Sequence, residues 1–139
     1  MFNKAIGKIV RYCRPTQVDE KGVLVSAFFL RKKNLELNRP EDEKTLSVDD
    51  FNFYKTDNYK NIKSALLKRM PSAKETGYFA LIDYPSSAKL IKQITDVDID
   101  IISEEKSSHC NITNLFGIDE RAAVGFVQNI LEVKPPKGI

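Results

Sequence analysis

The chain has 139 residues, with 22 Lys and Arg against 19 Asp and Glu, a net charge of +3, 42% hydrophobic residues and two cysteines. That length suits one domain around one substantial core, and the composition excludes a disordered, collagen-like or disulfide-stapled chain. No apolar run approaches the roughly 20 residues of a membrane-spanning helix. The opening MFNKAIGKIVRYCRP also lacks the unbroken apolar stretch of a signal peptide, so the expected location is cytoplasmic, with Cys13 and Cys110 as free thiols.

Residues 1–70 hold fifteen Lys and Arg against nine Asp and Glu, whereas residues 71–139 hold seven against ten. A basic first half can attract phosphate. No glycine-rich phosphate loop or aromatic stacking motif accompanies it, so a solvated surface is the leading reading and a nucleic-acid partner is not favoured.

In chain order, residues 5–14 predict a strand ended by Pro15. Its alternation is imperfect, with Val10 and Tyr12 on the face of Lys8 and Arg14, which suits an edge position. After a polar turn over 16–22, VLVSAFFL at 23–30 is apolar on both faces and reads as a central, doubly covered strand. Ser26 interrupts it. With no small-residue elbow around it, its hydroxyl is first expected to bond a backbone carbonyl, and only second to act chemically. A charged connection over 31–44 opens with Arg31, Lys32 and Lys33.

Leu46-Ser47-Val48-Asp49 predicts a short extended element. Tyr59, Ile62, Ala65, Leu66 and Met70 then form a helical stripe, capped from Asp57 or Asn58 and ended by Pro71. GYFALIDY at 77–84 is another strand, bounded by residues 71–76 and Pro85, and Ser86 or Ser87 caps a short helix after it. Val97, Ile99 and Ile101 alternate with Asp98 and Asp100 as a half-buried strand. From Asp119 the period becomes helical, through Ala123, Phe126, Val127, Ile130 and Leu131. The fold class expected is α+β: a largely antiparallel mixed sheet with about three helices packed mainly on one side. Residues 1–133 make one globular domain, and KPPKGI over 134–139 is a flexible tail.

The one histidine, His109, falls between two well-defined packing elements and is the best candidate for chemistry, as imidazole is the side chain that exchanges protons near neutral pH. An extended segment over 108–112 would point His109 and Asn111 to one face and Cys110 and Ile112 to the other. This argues against a joint His109–Cys110 metal site, and too few other ligands remain for structural zinc. Asp49 and Asp83 are carboxylates able to orient His109, while nothing local marks Cys13 as an activated nucleophile. The competing reading is a histidine making structural hydrogen bonds at a strand end. Candidate catalytic residues are therefore His109, Asp49 and Ser26, and candidate binding residues are Ser47, Asn111, Arg31, Lys32 and Lys33. No metal or cofactor is expected.

Val25-Ser26-Ala27-Phe28-Phe29, then Leu46-Ser47-Val48-Asp49, then Ser108-His109-Cys110-Asn111-Ile112 resemble three ordered marks of a family of small uncharacterised bacterial proteins. In that family a VSxxAF strand is followed by LSVD and later by a serine–histidine or alanine–histidine pair. The resemblance spans residues 8–133. Phe28-Phe29 stands where the family has alanine–phenylalanine, and the family's proline-rich segment before the histidine is absent. The resemblance implies a bacterial or phage origin and one domain, and it transfers no reaction. The leading functional expectation is a binding or accessory module acting with a protein partner, since the residues assemble no complete catalytic constellation. The alternative is a nucleotide- or nucleic-acid-directed enzyme using His109 as general acid or base.

Overall fold

The computed structural model describes residues 5–71 and 76–139. Strand β1 (Lys8–Cys13) is followed by the short pair β2 (Val18–Asp19) and β3 (Gly22–Val23), a 3₁₀ turn at Val25–Phe28, β4 (Leu46–Asp50) and helix α1 (Asn58–Arg69). Then come β5 (Tyr78–Asp83), α2 (Tyr84–Thr95), β6 (Asp100–Ser103), β7 (His109–Thr113), α3 (Asp119–Val127) and β8 (Ile130–Lys134). Six strands form an antiparallel sheet in the order β6-β7-β4-β1-β5-β8, with β2 and β3 as a separate ribbon. The fold is α+β, as the sequence implies.

Alternation sets the two faces of this sheet. Ile9, Cys13, Leu46, Val48, Ala80, Ile82, Cys110 and Ile112 pack on one face against Ile91 of α2, against Ala122, Ala123 and Phe126 of α3, and against Ala27 and Phe28 of the 3₁₀ turn. The Phe28 and Phe126 rings stack at 5.3 Å. Val10, Phe79 and Leu81 lie on the other face beneath Ile62 and Leu66 of α1. Two helices thus cover one face and α1 covers part of the other. Beyond α1 the second face continues over β4, β7 and β6 as Ser47, Asp49, His109, Asn111, Thr113 and Ile102, aligned by the pairs Asp49↔His109, Ser47↔Asn111 and Ile102↔Asn111.

Several local expectations are corrected. The first strand is interior, not an edge, pairing over its whole length with β5. Its arginine is accommodated because β1 and β4 pair only at Ile9↔Asp50 and Val10↔Asp49 and then part. The 23–30 segment is not a central strand. After β3 it turns, burying Ala27 and Phe28 while leaving Leu24 and Val25 exposed, and an apolar run without a clear period suits a buried turn as well as a strand.

Asp57 occupies the N-cap position of α1 without a side-chain cap bond, and Asn58 instead donates to the Phe51 carbonyl (2.7 Å). Asp83, not a serine, caps α2 by accepting from the Ser86 amide (3.0 Å), with Pro85 in the first turn. Ile130 and Leu131 are not helical. Asn129 accepts from the Asp83 amide (3.0 Å), which turns the chain onto the free edge of β5 as β8. Residues 134–139, expected as a tail, lie along α1: Lys63 Nζ donates to the Pro136 carbonyl (3.1 Å), and Ile139 packs on the second cluster. The expected boundary over 71–76 falls largely outside the described residues.

Close packing of α2 on α3 needs Gly125, where an added Cβ would sit 2.5 Å from Cγ1 of the fully buried Ile91. Gly125→Ala should therefore lower stability by about 1–3 kcal/mol through overpacking, despite alanine's better helix propensity. Urea unfolding checks this, and an unchanged midpoint would refute it.

Candidate functional site

Where β1 and β4 part, Arg11 fills the gap. Its Nε donates to the Ala27 carbonyl (3.0 Å) and its Nη1 to the Ser47 carbonyl (2.7 Å), replacing ladder bonds the two strands do not make. Burial pulls the Arg11 pKa below its ordinary value, an effect countered by Cys13 and Glu43. A guanidinium nonetheless stays charged at any physiological pH. Beside this fork lies a groove of about 540 Å³, walled by Arg11, Tyr12 and Arg14 from β1 and its end, Ser47 and Asp49 from β4, Arg69 from the end of α1 and Met70 just past it, and by Ser26, Arg31, Glu43 and His109.

Two carboxylates enter the groove and both are bound. Asp49, 4% exposed, accepts from Arg69 Nη1 (3.1 Å) and Nη2 (2.8 Å) and from Ser108 Oγ (2.8 Å). Glu43 accepts from Arg31 Nε (3.1 Å), Nη2 (3.0 Å) and backbone N–H (2.7 Å). Burial alone would raise the Glu43 pKa, but these hydrogen bonds hold its carboxyl below the ordinary range. Arg11 and Arg14 make no ion pair among the described residues.

Of the candidates, His109, Asp49, Ser26, Ser47 and Arg31 meet in this one groove. Lys32 faces a second cavity of about 460 Å³ that shares Leu30, Arg31 and Glu43 with the first. Lys33 and Asn111 line neither; Asn111 accepts from Thr45 Oγ1 (3.3 Å), and the Lys33 amide donates to Asp42 (2.7 Å). His109 and Asn111 do share a face, opposite the buried Cys110 and Ile112. The carboxylate that orients His109 is neither Asp49 nor Asp83 but Glu104, whose Oε1 lies 2.6 Å from Nδ1. That leaves Nε2 without a partner among the described residues. Ser26 is half-buried. Its carbonyl accepts from Gln17 Nε2 (3.4 Å), while its hydroxyl carries no bond to a described residue, so the backbone partner expected for it is not there.

Sequence reasoning missed Arg11, Arg14, Glu43 and Glu104, and it weighed Arg69 only as one of the basic residues on the outer side of α1. Only Glu104 had a readable signal: a hairpin through EEKSSH pairs it with His109, and its amide bonds the His109 carbonyl (3.0 Å). Cys13 lies on the opposite sheet face from His109, and burial pushes its pKa up to about 11. Burial likewise raises Cys110. Among the described residues no three His, Cys, Asp or Glu side chains gather as a metal-ligand set, and no helix is long and apolar enough to cross a membrane. No protein family, curated protein or solved structure matches the chain.

Two checks follow from this geometry. His109→Ala removes a contact to an exposed carboxylate and should cost about 1 kcal/mol. Asp49→Ala strands both Arg69 and Ser108 and should cost about 2–3 kcal/mol, less than a fully buried pair because Arg69 reaches water. Thermal melts rank the two variants, and the reverse order would make His109 the structural residue. In the folded protein at pH 8 neither thiol should react with a disulfide reagent, whereas both should in denaturant; fast native labelling of Cys13 would contradict its burial.

Proposed function

We propose that this chain is a binding or accessory module that works with a protein partner by holding an anionic group of that partner in the groove beside the β1–β4 fork. One observation carries the reading: four guanidinium groups line the groove against two carboxylates, and both carboxylates are already taken by Arg31 and Arg69. Charge held away from water calls for a counter-charge. Arg11, drawn out of water and left without a carboxylate, therefore favours an anion from outside, and the exposed Arg14 adds a second positive charge at the same groove. That the three marks noted in the sequence contribute Ser26, Ser47, Asp49 and His109 to the same groove supports a shared site, in keeping with a bacterial or phage family.

A nucleotide-directed enzyme is the second reading, favoured by His109. Its Nδ1 is held by Glu104 while its other ring nitrogen is unoccupied, and its ring lines the groove with Ser26. That pattern suits a general acid or base. Asp49, bound through both oxygens, would then position Arg69 rather than move a proton. Extended nucleic acid fits less well, because the adjoining cavity presents Asp42, Glu43, Asp119 and Glu120 against Arg31, Lys32 and Arg121.

The test is affinity capture from the native host with the wild-type chain and Arg14→Glu. A stoichiometric protein should be retained by the first and lost by the second, with unchanged melting temperature. Equal capture by both would remove the groove from the interaction. Hydrolysis of a nucleotide, abolished in His109→Gln, would instead establish the enzyme reading.

A further inference from the structure

We infer that the group this groove accepts is a phosphate monoester dianion, not a carboxylate or a phosphodiester. The inference rests on the anion-binding reading above and specifies its ligand. Two guanidinium groups, Arg11 and Arg14, are left over after Arg31 pairs with Glu43 and Arg69 with Asp49. A carboxylate or a diester brings one negative charge against the half-buried Arg11 and the exposed Arg14, whereas a phosphate monoester carries about −1.5 to −2 near pH 7 and engages both more strongly.

The supply of hydrogen-bonding groups points the same way. Arg11 is fixed through Nε and Nη1 by the Ala27 and Ser47 carbonyls, so its plane is set while its Nη2 has no partner among the described residues. The Arg14 side chain has none either, and the hydroxyls of Thr16, Ser26 and Ser47, which line the same groove, bond no described residue. The groove's carboxylates, its strongest acceptors, are both taken. What remains open is therefore a set of guanidinium N–H groups, which only donate, and hydroxyls able to donate, from β1, β4 and the two turns beside them. The complement to such a set is a group made of acceptors, and a phosphate monoester offers three terminal oxygens. At about 540 Å³ the groove also exceeds a bare phosphate, leaving room for what the phosphate is attached to.

The same chemistry is carried by a phosphorylated side chain of a partner protein and by a free nucleoside monophosphate. Isothermal titration of the full chain at pH 7.5 and low salt separates these cases, using methyl phosphate, dimethyl phosphate, acetate, a phosphoserine peptide and adenosine 5′-monophosphate. Methyl phosphate should bind at least roughly tenfold more tightly than dimethyl phosphate or acetate, and Arg14→Gln, at an exposed position, should remove roughly that advantage without altering the melting temperature. The tighter of the phosphoserine peptide and the nucleotide then identifies the source. Equal binding of acetate, dimethyl phosphate and methyl phosphate would overturn the monoester assignment and leave the anion groove standing. Binding of none of the five would overturn both. A monoester preference that survives Arg14→Gln would place the phosphate elsewhere and overturn this assignment.

Discussion

The Arg11 guanidinium, wedged between the carbonyls of Ala27 and Ser47, is the contact on which the architecture of this protein turns. Two antiparallel strands that begin in register will ordinarily continue to pair, because unpaired backbone groups are costly away from water. Here β1 and β4 separate after two register pairs, and a side chain takes over the work of the missing ladder. The sheet can then keep one continuous apolar face against α2 and α3 while opening a polar groove at its centre. The arrangement also explains why a charged residue sits in the middle of an interior strand: the arginine occupies a break in the sheet.

A second ion pair fixes the opposite wall. The Asp49–Arg69 contact joins β4 to the C-terminal end of α1, and Ser108 adds a bond from the turn that leads into β7. Bidentate arginine–carboxylate geometry constrains orientation as well as distance. The last turn of α1, β4 and the start of β7 are thereby held as one rigid unit, with His109 carried directly opposite Asp49. The Arg31–Glu43 pair closes the far end in the same way, linking the two ends of the charged connection. Three arginines thus shape the groove through their partners, while Arg14 contributes charge alone.

Much of this frame was legible in the residues. Leu46-Ser47-Val48-Asp49 is extended as read, and His109 and Asn111 share one face with Cys110 and Ile112 on the other, as alternation implies. What escaped reading was chosen by tertiary context. Arg69 is twenty residues from Asp49 and on a different element, so no local pattern announces their pairing. Ile130 and Leu131 fit the helical period of α3, but an open edge on β5 and the turn at Asn129 draw them into a strand. VLVSAFFL lacks a period altogether, and whether such a run becomes a strand or a buried turn depends on what lies above it. The groove's charge surplus was equally hidden, because it exists only once residues far apart in the chain are brought together.

The strand order carries a consequence for the kinetics of folding. β1 lies between β4 and β5, and its full-length partner β5 begins some seventy residues later. A sheet joined by such distant pairings closes slowly, because each pairing must first overcome the entropy of a large loop. The groove is later still. Its walls span residues from Val10 to His109, so a nascent chain has no site to offer until β7 has emerged and docked beside β4. Occupation of the groove would then report that β1, β4 and β7 have come together at the centre of the sheet.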